Sequence, residues 1–287
     1  MDKAIPEIGK MKIEALEKKM LEHDQVECPV IHRFGPGTYI REVHIPAGSI
    51  AIGHHQNFEH TNVMLSGCVI MLNEDGSTTE FKAPMVFVGR PGRKVGYIKE
   101  DMVWLNVYPN VENEQNIETL EAKYLTKSDN FKLSDASRNA LLLGNISIDQ
   151  RDFQQALVDI GVPAQLVRNQ SENKDDMMEL PFGGYRFKIA NSPIEGRGIF
   201  AMGDIVPGEI IGPARIGQKR TALGRYTNHG AQPNAKFIAT KTGDINLVAT
   251  KKIFGCRGGF DGDEVLVDYR EAFRLNLELA KAGKCQV

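Results

Sequence analysis

Arg225-Tyr226-Thr227-Asn228-His229-Gly230-Ala231-Gln232-Pro233-Asn234 is the stretch that decides how this chain is read. An adjacent asparagine and histidine, followed by Pro-Asn, suit a polar site, although residues of this kind more often build a loop. Two other stretches bear on it. Upstream, Glu195-Gly196-Arg197-Gly198-Ile199-Phe200 sets glycines on both sides of an arginine, which lets backbone approach a ligand or simply turn. Downstream, Gly262-Asp263-Glu264-Val265-Leu266-Val267-Asp268-Tyr269 closes an apolar run on Asp-Tyr, as the end of a strand also would. Each stretch is ambiguous alone. Their occurrence together and in this order is not.

Together they resemble the signature of the SET domain of protein-lysine methyltransferases: G-x-G, then R-[FY]-x-N-H-x-x-x-P-N, then G-[ED]-E-[IVL]-x-x-[DN]-Y. The match runs over residues 182–273. The resemblance implies a β-rich domain in which the segment after Asn228-His229 threads beneath a C-terminal loop as a pseudoknot. It implies S-adenosylmethionine as cofactor, held by Gly196, Arg197, Gly198, Asn228 and His229. Tyr269 takes the position of the catalytic tyrosine, and Tyr226 that of an aromatic beside the substrate channel. The implied substrate is a protein or peptide lysine, and no metal is required. The chain departs from larger relatives in three ways. The segment between Glu209 and Arg225 is very short, no Cys-x-Cys follows Tyr269 (Cys285 stands alone), and Gly230 replaces the common serine. The resemblance is therefore to the compact, viral or phage-like type. Phe273 or Leu277 would cover the adenine, or else belong to the core.

The first part of the chain has a different texture. Residues 7–22 place Ile8, Met11, Leu16 and Met20 among charges, which predicts an amphipathic helix. From Cys28 to Tyr108, short apolar runs such as Tyr39–Ile45, Val63–Leu72 and Met85–Val88 alternate with turn signals, which predicts a β-barrel or sandwich. Gly48, His54-His55-Gln56, His60 and Gly67 resemble the first cupin motif, G-x5-H-x-H-x3-E-x6-G. Gln56 stands at the second histidine and His60 at the glutamate, with Glu59 adjacent. The second motif is reduced to Pro91-Gly92-Arg93-Lys94, without its histidine. A metal site needs three or four converging ligands; His54, His55, Glu59 and His60 could supply some of them, but with the set incomplete the favoured reading is a barrel that has lost its metal and serves assembly or recognition.

Between the two lie helical patterns. Ile117, Leu120 and Tyr124 space one helix, and a second is expected after Ser147 as N-cap, with Phe153, Ala156, Leu157 and Ile160 on one face. Gly161 and Pro163 end that helix and open another, and the polar run Gln170–Asp176 reads as a linker. A last helix is expected over Glu271–Lys281. The fold class is accordingly α+β, mostly β. Its expected parts are an N-terminal helix (1–27), a cupin-like barrel (28–112), a helical connector (113–180) and a SET-type domain (181–287).

Composition narrows the function. The 287 residues are 41% hydrophobic and carry a formal net charge of −2, without a dense basic block, which speaks against a nucleic-acid partner. No apolar run approaches a membrane span, and the first thirty residues have no signal-peptide core. Cys28, Cys68, Cys256 and Cys285 match no zinc or disulfide spacing, as expected in a reducing compartment. The expected location is the cytoplasm, that of the host cell for a virus- or phage-encoded protein. The leading expectation is an S-adenosylmethionine-dependent protein-lysine methyltransferase that forms a homo-oligomer. The rivals are a non-catalytic scaffold built from both folds and a cupin metalloenzyme with an auxiliary SET-like part.

Overall fold

Along Val95–Pro109, the residues Met102, Trp104, Asn106 and Tyr108 fall two apart and are all buried, the signature of a strand with one face on a core. In the computed structural model, which describes residues 7–73, 75–141, 143–173 and 175–283, this strand organises the first of two compact units. That unit runs to Glu114 and also contains Glu118–Ala140 and Cys256–Phe260. Its strands are β1 (Val30–Gly35), β2 (Thr38–Ile45), β3 (Ile50–Ile52), β4 (His55–Gln56), β5 (His60–Leu72), β6 (Thr78–Lys82), β7 (Met85–Gly89), β8 (Val95–Pro109) and β9 (Leu125–Thr126). All their pairings are antiparallel. β8 pairs with β2 through Met102–Pro109 and with β3 through Val95–Tyr97, while β5 runs along its other edge. β5 in turn carries β7 on its first half and β6 on its second.

Two half-sheets, β1-β2-β8-β5-β7 and β3-β8-β5-β6, thus share two long strands that must bend. The bend of β5 falls at register shifts from Met64 to Val69. There Gly67 has φ +94, and a Cβ would lie 2.6 Å from the Asp101 carbonyl oxygen, so only glycine fits. The core of this unit includes Met64, Val69, Ile98, Met102 and Trp104.

Helix α1 (Glu7–Leu21) forms where expected, but its face differs. Leu16 is 36% exposed and Glu17 only 6%, because Arg93 grips the Glu17 carboxylate at 2.5 and 3.2 Å. The side chains of Ile8 and Met11, like Cys285, lie outside the described residues. α2 (Ile117–Tyr124) follows its predicted spacing. α3 (Asp129–Leu141) is not among the expected elements: of its described side chains Phe131 is the buried apolar contact and Leu133 is 69% exposed, so no apolar period marks it. α4 (Leu143–Ile160) starts before Ser147, which sits inside the helix and not at its cap.

The second unit comprises Gln115–Ile117, Leu141–Gly255 and the chain from Asp261 onward. It contains α4 and α5 (Ala164–Glu172), which occupies part of the expected linker. Asp176 binds Arg220 at 2.5 Å and Arg225 at 2.6 Å, and Arg225 also donates to the Gln170 carbonyl, so this run is tied into the unit. After β10 (Gly183–Tyr185), β11 (Phe187–Asn191) and β12 (Arg197–Ala201) form a hairpin. β13 (Ile210–Ile216), β14 (Lys219–Arg220), β16 (Ala235–Ala239) and β17 (Ile245–Ala249) form an antiparallel sheet in the order β14-β13-β17-β16. Between them lie α6 (Ala222–Tyr226) and β15 (Asn228–His229), and β18 (Leu266–Val267) leads into α7 (Tyr269–Lys281). Phe187, Ile199, Leu223, Leu247, Ile253 and Val267 lie in one core. Among the described residues, no helix is long and apolar enough to cross a membrane.

Candidate functional site

β15 and β18 are short, yet they pair in parallel and draw three distant stretches together. Asn228 faces Leu266 and His229 faces Val267 across the pair. Asn234 locks it, donating its backbone N–H to the Leu266 carbonyl, accepting from Leu266 N–H at 2.8 Å, and donating Nδ2 to the Glu264 carbonyl at 2.8 Å. Pro233-Asn234 and Gly262–Tyr269 are therefore one structural device.

Asn228 stands at the centre. Its Nδ2 reaches the Glu195 carbonyl (3.1 Å), the Arg197 carbonyl (3.1 Å) and Glu264 Oε1 (2.9 Å). Gly198 lies against the same carboxyl: a Cβ there would be 2.1 Å from Glu264 Oε1. Gly196, in contrast, has open space around it and a φ of +54, so its part is the turn between β11 and β12. Arg197 turns away from the carboxyl, donating to Asn116 Oδ1 at 3.0 Å and lying 5.7 Å from the Tyr226 ring centre. Of the expected cofactor residues, Gly198 and Asn228 meet at Glu264, while Arg197 pairs instead with Tyr226.

His229 and Tyr269 form the other half of the site. The His229 ring is fully buried, with Nε2 2.8 Å from Asp152 Oδ2 and Nδ1 accepting from the Tyr269 backbone N–H at 3.1 Å. That acceptor role places the ring proton on Nε2, facing Asp152. Tyr269 opens α7, capped by Asp268, and its hydroxyl donates to the Thr227 carbonyl at 3.2 Å. Burial, with the Glu264 and Glu195 carboxylates nearby, pushes the phenol well above its ordinary range. Tyr269 is thus a neutral O–H donor that can orient a group but cannot act as a base. Phe273 and Leu277 are partly exposed, while Leu279 of the same helix enters the core.

Two contributors escaped the sequence reading. Glu264 is one: burial raises its carboxyl to about 7, only partly opposed by hydrogen bonds from Asn228 and Ser192. Its place directly before the Val265-Leu266-Val267 run was the available signal. Helix α4 is the other, for Asp149 accepts from Ala231 N–H at 2.9 Å, and Asp152 binds both His229 and Arg270. Phe153 adds an edge-on contact to Tyr269, with ring centres 5.9 Å apart. Nothing in a local pattern points from 149–153 to 229–231.

Glu264 makes no ion pair with any described cation, and Asp149 raises its carboxyl further. This buried acid lies beside the Glu195 and Arg197 carbonyls, and a positively charged ligand placed there would favour its ionised form. The sulfonium and ammonium of S-adenosylmethionine are cations of that kind, so the acceptor-rich residues present fit the group that the resemblance implies. A depression lined by Ser147, Gln150, Arg151, Phe153, Ile194 and Glu195 opens beside them.

The cupin-like positions in the first unit are dispersed. His55 and Glu59 are exposed, and His60 is buried in an amide network, with Nδ1 on the Phe58 carbonyl and Nε2 at 3.2 Å from both Asn62 and Asn106. Trp104 Nε1 donates to Asn62 Oδ1 at 2.9 Å. Among the described residues, no three His, Cys, Asp or Glu side chains converge as a metal site would need.

No protein-family model matches the sequence, and no curated protein does. Solved structures similar to it include cupin and double-stranded β-helix proteins, over about 30% of the chain. One is an uncharacterized conserved protein with a double-stranded β-helix domain from Klebsiella pneumoniae, 18% identical over 31% of this chain and 76% of that one, with a TM-score of 0.25. Another is an RmlC-like cupin family protein from Methanocaldococcus jannaschii, 14% identical over 30% and 85%, also with a TM-score of 0.25. A third is the polyketide cyclase RemF from Streptomyces resistomycificus, 16% identical over 30% and 68%, with a TM-score of 0.24. At such scores the likeness carries no argument, and the description of the β-rich unit rests on its strand pairing.

Proposed function

We propose that the second unit is a SET-type, S-adenosylmethionine-dependent methyltransferase acting on a lysine side chain of a protein or peptide. One observation carries this reading. Asn228 and Gly198, drawn from two separate motifs, meet at Glu264 of the third, a buried acid without an ion pair among the described residues, and Tyr269 lies near enough to feel its charge. Asn228, Glu264 and the carbonyls of Glu195 and Arg197 would hold the cofactor's positive groups. Bound S-adenosylmethionine supplies an electrophilic methyl group.

The residues of the chain supply position. A lysine amine must be neutral to attack, and with its ordinary pKa of about 10.4 the deprotonation at pH 7 costs on the order of 4–5 kcal/mol. Tyr269 is no base, so the proton leaves to water before transfer, favoured by the positive charge of the bound cofactor. The hydroxyl of Tyr269, fixed on Thr227, then orients the amine. In this reading the cupin-like unit serves assembly or substrate recognition, and the protein works as a homo-oligomer in the cytoplasm. Calorimetric titration with S-adenosylmethionine, followed by radiolabelled methyl transfer to a cell lysate, tests it. Absence of cofactor binding by the full chain overturns it.

A second reading is favoured by a specific observation. The Asn228 amide, both His229 ring nitrogens and the Tyr269 hydroxyl all bond within the unit, as they would in a scaffold that has kept the fold and abandoned catalysis. Cofactor binding separates the two readings.

A further inference from the structure

The first unit contains a cavity of about 250 Å3 whose walls include Val43, Val69, Met71, Ile98, Met102 and Trp104. An apolar cavity of about 150 Å3 is large enough for benzene, so this one admits a somewhat larger body. Its polar walls are unusual in holding donors without acceptors. His54 lines the cavity, and its buried Nδ1 has no hydrogen-bond partner. Arg41 lines it too, with an unpartnered Nε whose nearest carboxylate oxygen, on Glu121, is 3.7 Å away and beyond bonding distance. Lys94 completes the set: its ammonium lies 5.9 Å from the Trp104 ring centre and makes no ion pair with a described carboxylate.

Glu17, a carboxylate among the lining residues, is already taken by Arg93 at 2.5 Å. Burial together with the charges of Arg41, Lys127 and Arg93 keeps His54 neutral, its pKa lowered to about 3. A neutral imidazole still donates one N–H, and in the tautomer with that proton on Nδ1 the donor has no partner within the protein. Leaving buried donors unbonded is costly, and such groups in folded proteins ordinarily meet a partner.

We propose that this cavity binds a small organic carboxylate, its head accepting from His54 Nδ1 and Arg41 Nε near the Lys94 charge, and its apolar body lying against Val69, Ile98, Met102 and Trp104. The inference uses nothing from the second unit and stands apart from the methyltransferase reading. It also requires no metal: the recognition is by charge-assisted hydrogen bonds in an apolar surround.

Trp104 is the single tryptophan of the chain, so its emission reports this cavity directly. The test is a fluorescence titration of the full chain with straight-chain carboxylates from butyrate to decanoate and with phenylacetate. The controls are acetate, which lacks the body, and 2-phenylethanol, which lacks the charge. At least one longer carboxylate should give a saturable change in Trp104 emission. Acetate should give none, and 2-phenylethanol should bind at least tenfold more weakly than phenylacetate. His54→Leu, which keeps the bulk and removes Nδ1, should raise Kd at least tenfold while its circular dichroism matches wild type. Should that variant misfold, Lys94→Met provides the same comparison by removing the nearby charge, with a several-fold rise in Kd. A flat titration across the series, equal binding of the alcohol, or undiminished affinity in the folded variant each overturns the proposal.

Discussion

Glu264 is an acid whose surroundings favour its neutral form, and that makes it the most informative single residue of the second unit. Its carboxyl, raised from the ordinary 4.5 to about 7, binds a proton more tightly in the folded chain than in the unfolded one. Its contribution to stability is therefore complete below about pH 4.5 and is lost as pH rises through 7, at a cost on the order of 3 kcal/mol. Urea unfolding of wild type and Glu264→Gln at pH 5 and pH 8 measures this. The variant should gain relative to wild type at the higher pH, and a pH-independent difference would contradict the buried-acid description. A cationic ligand works the other way, since it favours the carboxylate. Affinity for S-adenosylmethionine should then rise between pH 6 and 8, with proton release visible as a buffer-dependent binding enthalpy.

Asn228→Ala removes the amide that bridges Glu264 and two carbonyls. Unpaired acceptors of this kind cost about 1–3 kcal/mol, so cofactor affinity should fall roughly tenfold to a hundredfold by calorimetry. Tyr269→Phe, by contrast, keeps the ring beside Phe153 and His229 and removes only the hydroxyl. Turnover should drop by roughly a hundredfold or more with cofactor affinity almost unchanged, because an interaction that orients the reacting amine acts on the rate. Equal turnover of the two proteins assigns Tyr269 to packing. At this scale the motif residues were legible, because Asn228, Pro233, Asn234 and Tyr269 stand at fixed spacing. The acid they surround was not, because its strength depends on burial, which no spacing encodes.

Among the elements, α4 shows most clearly what local pattern can and cannot deliver. Its apolar face was legible: Phe153, Ala156 and Leu157 are buried as their spacing required. Its start was not, since Ser147 has the chemistry of a cap but lies within the helix. α3 escaped altogether, because among its described side chains Phe131 alone is a buried apolar contact, which leaves no period to read. The polar side of α4 carries the larger consequence, for Asp152 supplies the acceptor for His229 and a two-pronged contact to Arg270. Asp152→Ala leaves a fully buried imidazole N–H without its partner, and stability should fall by about 1–3 kcal/mol. Chemical denaturation at pH 7 measures the loss. Asp152→Asn, which still offers an oxygen to His229, should recover part of it, and a loss no smaller than that of alanine would show that Arg270 is the partner that matters.

For the molecule as a whole, the strand-rich texture of 28–108 and the change to helices were readable in composition, but the path of the chain was not. The first unit is completed by five residues from far along the sequence, Cys256–Phe260. Cys256 accepts from the Cys28 backbone N–H at 3.2 Å, and Phe260 stacks on Phe131 with ring centres 4.4 Å apart and planes within 10°. No sequence pattern announces such a return, because its reason is a contact between segments more than a hundred residues apart. It also decides how assembly has to be measured. A fragment ending near residue 140 would lack Phe260 and expose the ring of Phe131, so its association would report damage and not a native surface. The full chain is the proper object. On it, Val86 and Val88 of β7 are 68% and 67% exposed, two apart on one strand and so on the same face. A second copy of the chain is the partner that the homo-oligomer proposal supplies for this face. Light scattering of the full chain should return the mass of a dimer or larger assembly. The double variant Val86→Lys, Val88→Lys should lower that mass while its circular dichroism matches wild type, since neither side chain contributes to the core of the unit. A monomeric wild type at the highest attainable concentration removes the oligomer from the proposal, and an assembly that survives both lysines moves the interface away from β7.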